Sequence, residues 1–101
     1  MKIPEGSTAP VYYTLRDEDG EPITDIVSLQ YKVTAQNGTV LLNWTTISAP
    51  ASSGVIYVSA TYNVKATAAD NLRFVTVKCT YDVSKVRTKE ISYELEDLIG
   101  I

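Results

Sequence analysis

Hydrophobic and polar residues alternate most cleanly between Leu72 and Glu96. Val75, Val77, Cys79 and Tyr81 fall on one phase and Phe74, Thr76, Lys78 and Thr80 on the other; Ile91, Tyr93 and Leu95 then alternate with Glu90, Ser92, Glu94 and Glu96. A period of two belongs to an extended strand with one covered face, so this stretch predicts a long β-hairpin. Lys85, Arg87 and Lys89 keep step with Ile91, Tyr93 and Leu95. Either the hairpin tip runs past the core or a bulge resets the register between them. A two-stranded ribbon cannot bury such a face alone, so the preceding residues must supply a covering layer.

The rest of the chain reads as strands separated by turns. Residues 1–9 hold Pro4, Gly6, Ser7 and Thr8 and predict an irregular lead-in. After Pro10, Val11, Tyr13 and Leu15 alternate with Tyr12, Thr14 and Arg16. Asp17-Glu18-Asp19-Gly20-Glu21-Pro22 then collects the residues that favour a turn. Val27, Leu29, Tyr31 and Val33 give the cleanest alternation of the first half, and Asn37-Gly38 after them is a strong hairpin signal. The returning strand, Val40 to Ile47, places Leu42 and Trp44 on one face, with Trp44 expected inside. Ser48 to Gly54 reads as a crossing loop, Val55 to Ala60 as a strand, and Lys65 to Asn71 as a loop or single helical turn. About six or seven strands at this spacing predict an all-β sandwich or small barrel occupying residues 10–97, with an apolar tail at 98–101. The expected core is Val27, Leu29, Tyr31, Val33, Leu42, Trp44, Val75, Val77, Cys79 and Tyr81.

Composition narrows the function more than the fold. A chain of 101 residues, 45% hydrophobic and 21% charged, has the size and make-up of one globular domain. Its longest apolar run is strand-sized, far below the roughly 20 residues of a spanning helix, so no membrane partner is expected. Nine basic against twelve acidic residues give a net charge of −3, opposite to the basic balance of a nucleic-acid binder. The N-terminus lacks the apolar stretch of a secretory signal, which predicts synthesis in the cytoplasm. There is no histidine, so the commonest general base and metal ligand is missing, and the single Cys79 forms no internal disulfide.

The candidate chemistry is correspondingly thin. The carboxylates of Asp17, Glu18, Asp19 and Glu21 do not follow calcium-loop spacing, since Ser28 stands where the closing glutamate is needed, and they predict a solvated turn. Cys79 lies in phase with core positions and reads as an inert thiol. No cofactor, metal or catalytic residue is assigned. Lys85, Arg87 and Lys89 either meet an anionic partner or protect a strand edge. Seven tyrosines are a clear bias, and Tyr12 and Tyr57 on outer faces would serve a protein or a sugar, or simply decorate a sheet. Leu98, Ile99 and Ile101 must fold back or find a partner.

This order of elements resembles an immunoglobulin-like antiparallel β-sandwich of about seven strands without disulfides, of the kind found in bacterial surface proteins and bacteriophage virion proteins. In that resemblance Val27 to Val33 matches strand B, Trp44 the strand C tryptophan, and the long hairpin strands F and G. Tyr31 or Val33 then approaches Val77 or Cys79. Asp70-Asn71-Leu72-Arg73-Phe74 resembles the approach to a tyrosine corner, with Phe74 where the hydroxyl belongs. The resemblance implies a non-enzymatic structural or interaction protein of a phage or prophage virion, self-associating or docking on a protein partner. The alternative is an adhesion or carbohydrate-binding module of a bacterial surface protein.

Overall fold

The computed structural model describes residues 1–48, 50–65, 67 and 69–96. The tail residues Leu98, Ile99 and Ile101 lie outside the described residues. The fold is an all-β sandwich of seven strands: β1 (Lys2–Pro4), β2 (Ala9–Thr14), β3 (Ile26–Ala35), β4 (Val40–Thr46), β5 (Ser53–Val58), β6 (Leu72–Tyr81) and β7 (Lys85–Glu96). A 3-10 helix, Ala60–Asn63, follows β5. One sheet has the order β1-β7-β6-β3-β4 and the other is the ribbon β2-β5. The larger sheet is mixed, because β1 runs parallel to β7 while every other pair is antiparallel.

The closing hairpin forms where the alternation places it. The β6–β7 ladder is unbroken from Leu72↔Glu94 to Tyr81↔Lys85, and Val75, Val77, Cys79, Tyr81, Tyr93 and Leu95 are buried on its inner face. Leu29 and Val33 of β3 join them. Ala9, Val11, Tyr13, Ile56 and Val58 of the ribbon close the core from the other side. Gly54 lets the ring of its cross-strand partner Tyr13 lie over the ribbon: a Cβ there would sit 3.0 Å from the Tyr13 hydroxyl.

Tyr31 and Leu42 are half-buried and pack against the core, but two of the expected core residues are not inside. The β3–β6 register shifts between Ile26 and Ser28, so Val27 bulges out of the ladder and is 62% exposed. Trp44 is displaced by the same device in β4. Between the pairs Tyr31↔Thr45 and Val33↔Leu42, β3 advances two residues and β4 three. That extra residue reverses the phase, so Leu42 faces the core and Trp44 the outer surface. There its ring lies under two cations, with Lys78 Nζ 4.4 Å and Lys32 Nζ 5.0 Å from the centroid. Trp44→Ala is therefore expected to cost about 1 kcal/mol in urea unfolding, against about 3–5 kcal/mol for a tryptophan truncated in a core. Iodide, drawn by the two lysines, should quench Trp44 fluorescence in the folded protein.

Two further expectations are corrected. Residues 2–4 are a strand, held to the end of β7 by the register Lys2↔Glu94 to Pro4↔Glu96, with Ile3 buried. The strands of Val27 to Val33 and of Trp44 are hydrogen-bonded neighbours in one sheet. They do not cross between layers as a B and C pair would. Tyr31 and Val77 meet as cross-strand partners, and Leu29 pairs with Cys79.

Candidate interaction surfaces and the buried polar corner

Arg73 is in phase with Val75 and Val77, which turns its guanidinium inward; it is 1% exposed. Five bonds satisfy it. Nε donates to the Tyr62 carbonyl (2.8 Å), Nη1 to Asp70 Oδ1 (2.7 Å) and the Leu72 carbonyl (2.9 Å). Nη2 donates to Asp70 Oδ2 (3.0 Å) and the Val64 carbonyl (3.0 Å). The planar fork matches the Asp70 carboxylate two bonds to two, a geometry lysine does not offer. In the Asp70-Asn71-Leu72-Arg73-Phe74 stretch, then, a guanidinium from position 73 ties the β5–β6 connection to the sheet.

Tyr93, the cross-strand partner of Arg73, extends this corner. Its hydroxyl donates to Asn63 Oδ1 at 2.6 Å, and Asn63 Nδ2 donates to the Ser7 carbonyl at 2.7 Å. The Gly6 N–H donates to the Asn63 carbonyl at 2.8 Å. Asn63 is wholly buried, so one amide joins the lead-in, the 3-10 helix and β7. Burial pushes the Tyr93 phenol up to about 12, with the Arg73 cation pulling the other way. Among the described residues, no buried side-chain nitrogen or oxygen lacks a partner. The corner's polar atoms are thus committed to the fold.

A groove of about 540 Å³ opens beside this corner. Ala35, Leu41, Tyr62 and Val64 give it apolar walls, Asn37 and Thr39 form its rim, and Asp70 and Arg73 close one side. Neither the groove nor the inward Arg73 was expected from sequence. The alternation did carry the signal, because it sets Arg73 on the same face as Val75.

Lys85, Arg87 and Lys89 come together on the inner-facing side of β7, opposite Tyr81, Cys79 and Val77, with no bulge between them and Ile91. There they bind their own chain. Lys89 Nζ donates to the Thr14 carbonyl (3.1 Å), Arg87 Nε to the Arg16 carbonyl (2.8 Å) and Lys85 Nζ to Glu18 Oε1 (3.0 Å). Glu18 also accepts from the Tyr81 hydroxyl at 3.0 Å. A backbone hydrogen bond, then Lys85 and Tyr81, hold the Glu18 carboxyl down to about 2. The three cations therefore pin the chain after β2 onto the hairpin. The acidic turn is likewise self-satisfied, since Asp17 Oδ1 accepts the N–H groups of Asp19 and Glu21. No carboxylate, cysteine and histidine cluster able to hold a metal ion occurs among the described residues. Cys79 is fully buried, and burial pushes its thiol up.

Tyr12 and Tyr57 do share one surface. In the β2–β5 register Tyr12 opposes Val55 and Tyr57 opposes Pro10, so the two rings are diagonal neighbours on the outer face of the ribbon. They are 71% and 65% exposed. That face consists of Pro10, Tyr12, Thr14, Ser53, Val55 and Tyr57 and bears no charge. The free edge of β5 beside it carries no proline, charge or bulge. Compared with known proteins, the chain matches no protein-family model, no curated protein and no solved structure.

Proposed function

We propose that this chain is a non-enzymatic interaction protein, a structural or assembly component of a bacteriophage or prophage virion that works through protein–protein contacts. The observation that carries the proposal is the uncharged tyrosine face of the β2–β5 ribbon. Tyrosine supplies large contact area with few rotors to freeze, and charge-poor aromatic patches are typical of interface cores. The polar groups of the Arg73 corner and the β7 cations are spent on holding the fold.

Within this reading the sandwich is immunoglobulin-like. Supporting that are the order β4-β3-β6-β7, which corresponds to C′-C-F-G of a variable-type domain, and the facing β2–β5 pair, which corresponds to B and E. The strand of Val27 to Val33 then takes the C position. The virion assignment itself rests on the resemblance of a disulfide-free sandwich to phage structural domains.

Co-expression with the products of the adjacent genes, followed by affinity capture, tests the proposal. Stoichiometric recovery of a capsid, portal or tail protein is expected, and it should be lost in a Tyr12→Ser/Tyr57→Ser variant that unfolds at an unchanged temperature. Recovery that is indifferent to both tyrosines, or no stoichiometric partner, would overturn it. The same exposed rings also favour a second reading, a carbohydrate-binding adhesion module, because sugars stack on aromatic faces. Reproducible glycan-array hits abolished by Tyr57→Ala would select that reading.

A further inference from the structure

Most cations of this chain find their counterpart within it. Arg73 and Lys85 pair with carboxylates, and Arg16, Arg87 and Lys89 donate to backbone carbonyls. Lys32 and Lys78 differ. On the outer face of the larger sheet both ammoniums lie within 5.0 Å of the Trp44 centroid. Among the described residues no carboxylate pairs with either. The two charges are therefore no farther apart than about 10 Å, the screening length at 0.1 M salt, and they repel each other. The indole attracts each of them but has no net charge with which to neutralise the pair.

The sheet holds this arrangement in place. Strands β4, β3 and β6 are neighbours, and the side chains of Trp44, Lys32 and Lys78 are all half-buried. Lys32 opposes Thr76, and Gln30 opposes both Lys78 and Thr46. Lys78 meets Thr88 on its other side, so the cross-strand neighbours of both lysines are neutral. Glu90, which opposes Thr76, makes an ion pair with neither. A pair of cations lacking a counter-charge is thus found here and not in the β7 trio.

We propose that Lys32, Lys78 and Trp44 form a binding site for a short acidic segment of a partner protein, an extended stretch with carboxylates at alternate positions. Alternate side chains leave the same side of an extended strand about 6.5–7 Å apart. That spacing lets one carboxylate meet each ammonium with the indole between them. Half-buried side chains have already lost part of their freedom, so little more is spent on binding. Only two cations converge here, so a long polyanion gains no further contact and is repelled by the chain's net charge of −3. A short acidic segment is therefore favoured over nucleic acid or a sulfated polysaccharide. The site lies on the opposite side of the sandwich from the tyrosine face.

Trp44 is the single tryptophan, so its fluorescence reports on the site alone. Titration of the full chain with the end-blocked peptide Gly-Asp-Thr-Asp-Thr-Asp-Gly should give a saturable change with a dissociation constant of about 1 mM. The Lys32 and Lys78 Cε–H signals should shift along the same isotherm. The matching peptide with asparagine for aspartate should do neither. Lys32→Gln/Lys78→Gln should weaken binding about fivefold or more, as should about 0.5 M salt. Lys32→Arg/Lys78→Arg should retain it, because guanidinium also pairs with carboxylates. The proposal is overturned by no saturable change in the wild type up to about 10 mM peptide, by an equal response to the asparagine peptide, or by binding that survives the double glutamine variant. Tighter binding of a heparin fragment or an oligonucleotide would overturn it too. No variant touches Tyr12 or Tyr57, so the outcome is separable from that of the tyrosine face.

Discussion

Replacing Arg73 with leucine should destabilise the protein by about 3–5 kcal/mol, the range for removing one partner of a buried charge pair. The substitution withdraws all five donors at once. Asp70 loses both guanidinium bonds, and the carbonyls of Tyr62, Val64 and Leu72 lose theirs. Each buried acceptor left unpaired costs about 1–3 kcal/mol, so the total exceeds the ion pair taken alone. A domain of this size has about 5–15 kcal/mol of stability, and the unfolding temperature should fall by more than about 10 °C. Arg73→Lys distinguishes charge from geometry. It keeps the cation but cannot make the paired contact to Asp70 and still reach two carbonyls, so it should recover less than half of the loss. Urea unfolding of the two variants and of Arg73→Leu/Asp70→Leu measures the coupling. If the double variant is no better than the additive sum, the pair is not the unit described here.

The same residue marks the limit of what alternation can reveal. Where a strand keeps strict period two through an unbroken ladder, as from Val75 to Tyr81, its inner face can be read directly. The three cations of β7 were correctly phased with Ile91 and Tyr93, but the carbonyls of Arg16 and Thr14 that receive Arg87 and Lys89 are 71 and 75 residues away in sequence. Nothing local foretells such a contact. Bulges defeat the method in another way. The extra residues at Val27 and in β4 leave composition unchanged while reversing orientation, so Val27 and Trp44 appear as core residues until pairing is known. Strand β1 was hidden because three residues ending in Pro4 have too little length for a period. Its support is the end of β7. The groove was illegible because its walls come from β3, β4 and the β5–β6 connection, brought together only by the sheet order.

The protein should lose stability steeply as the pH rises from about 10 to 12, with Tyr93 as the largest contributor. Its phenol ionises at about 12 when folded and at 10 when free. The folded state therefore keeps the proton after the unfolded state would release it. The stabilisation is complete below pH 10 and is withdrawn between 10 and 12, amounting to about 2–3 kcal/mol by the upper limit. Burial pushes Tyr13 and Tyr31 upward too, so they act in the same direction. Tyr93→Phe isolates the largest share. At neutral pH it should cost about 1–2 kcal/mol, because Asn63 Oδ1 loses the donor it holds at 2.6 Å. Between pH 10 and 12 the variant should lose stability more slowly than the wild type, so the two curves converge. Urea midpoints followed across this range, with tyrosinate absorbance recorded in parallel, provide the check. A Tyr93→Phe curve parallel to that of the wild type would mean that burial does not hold the phenol neutral.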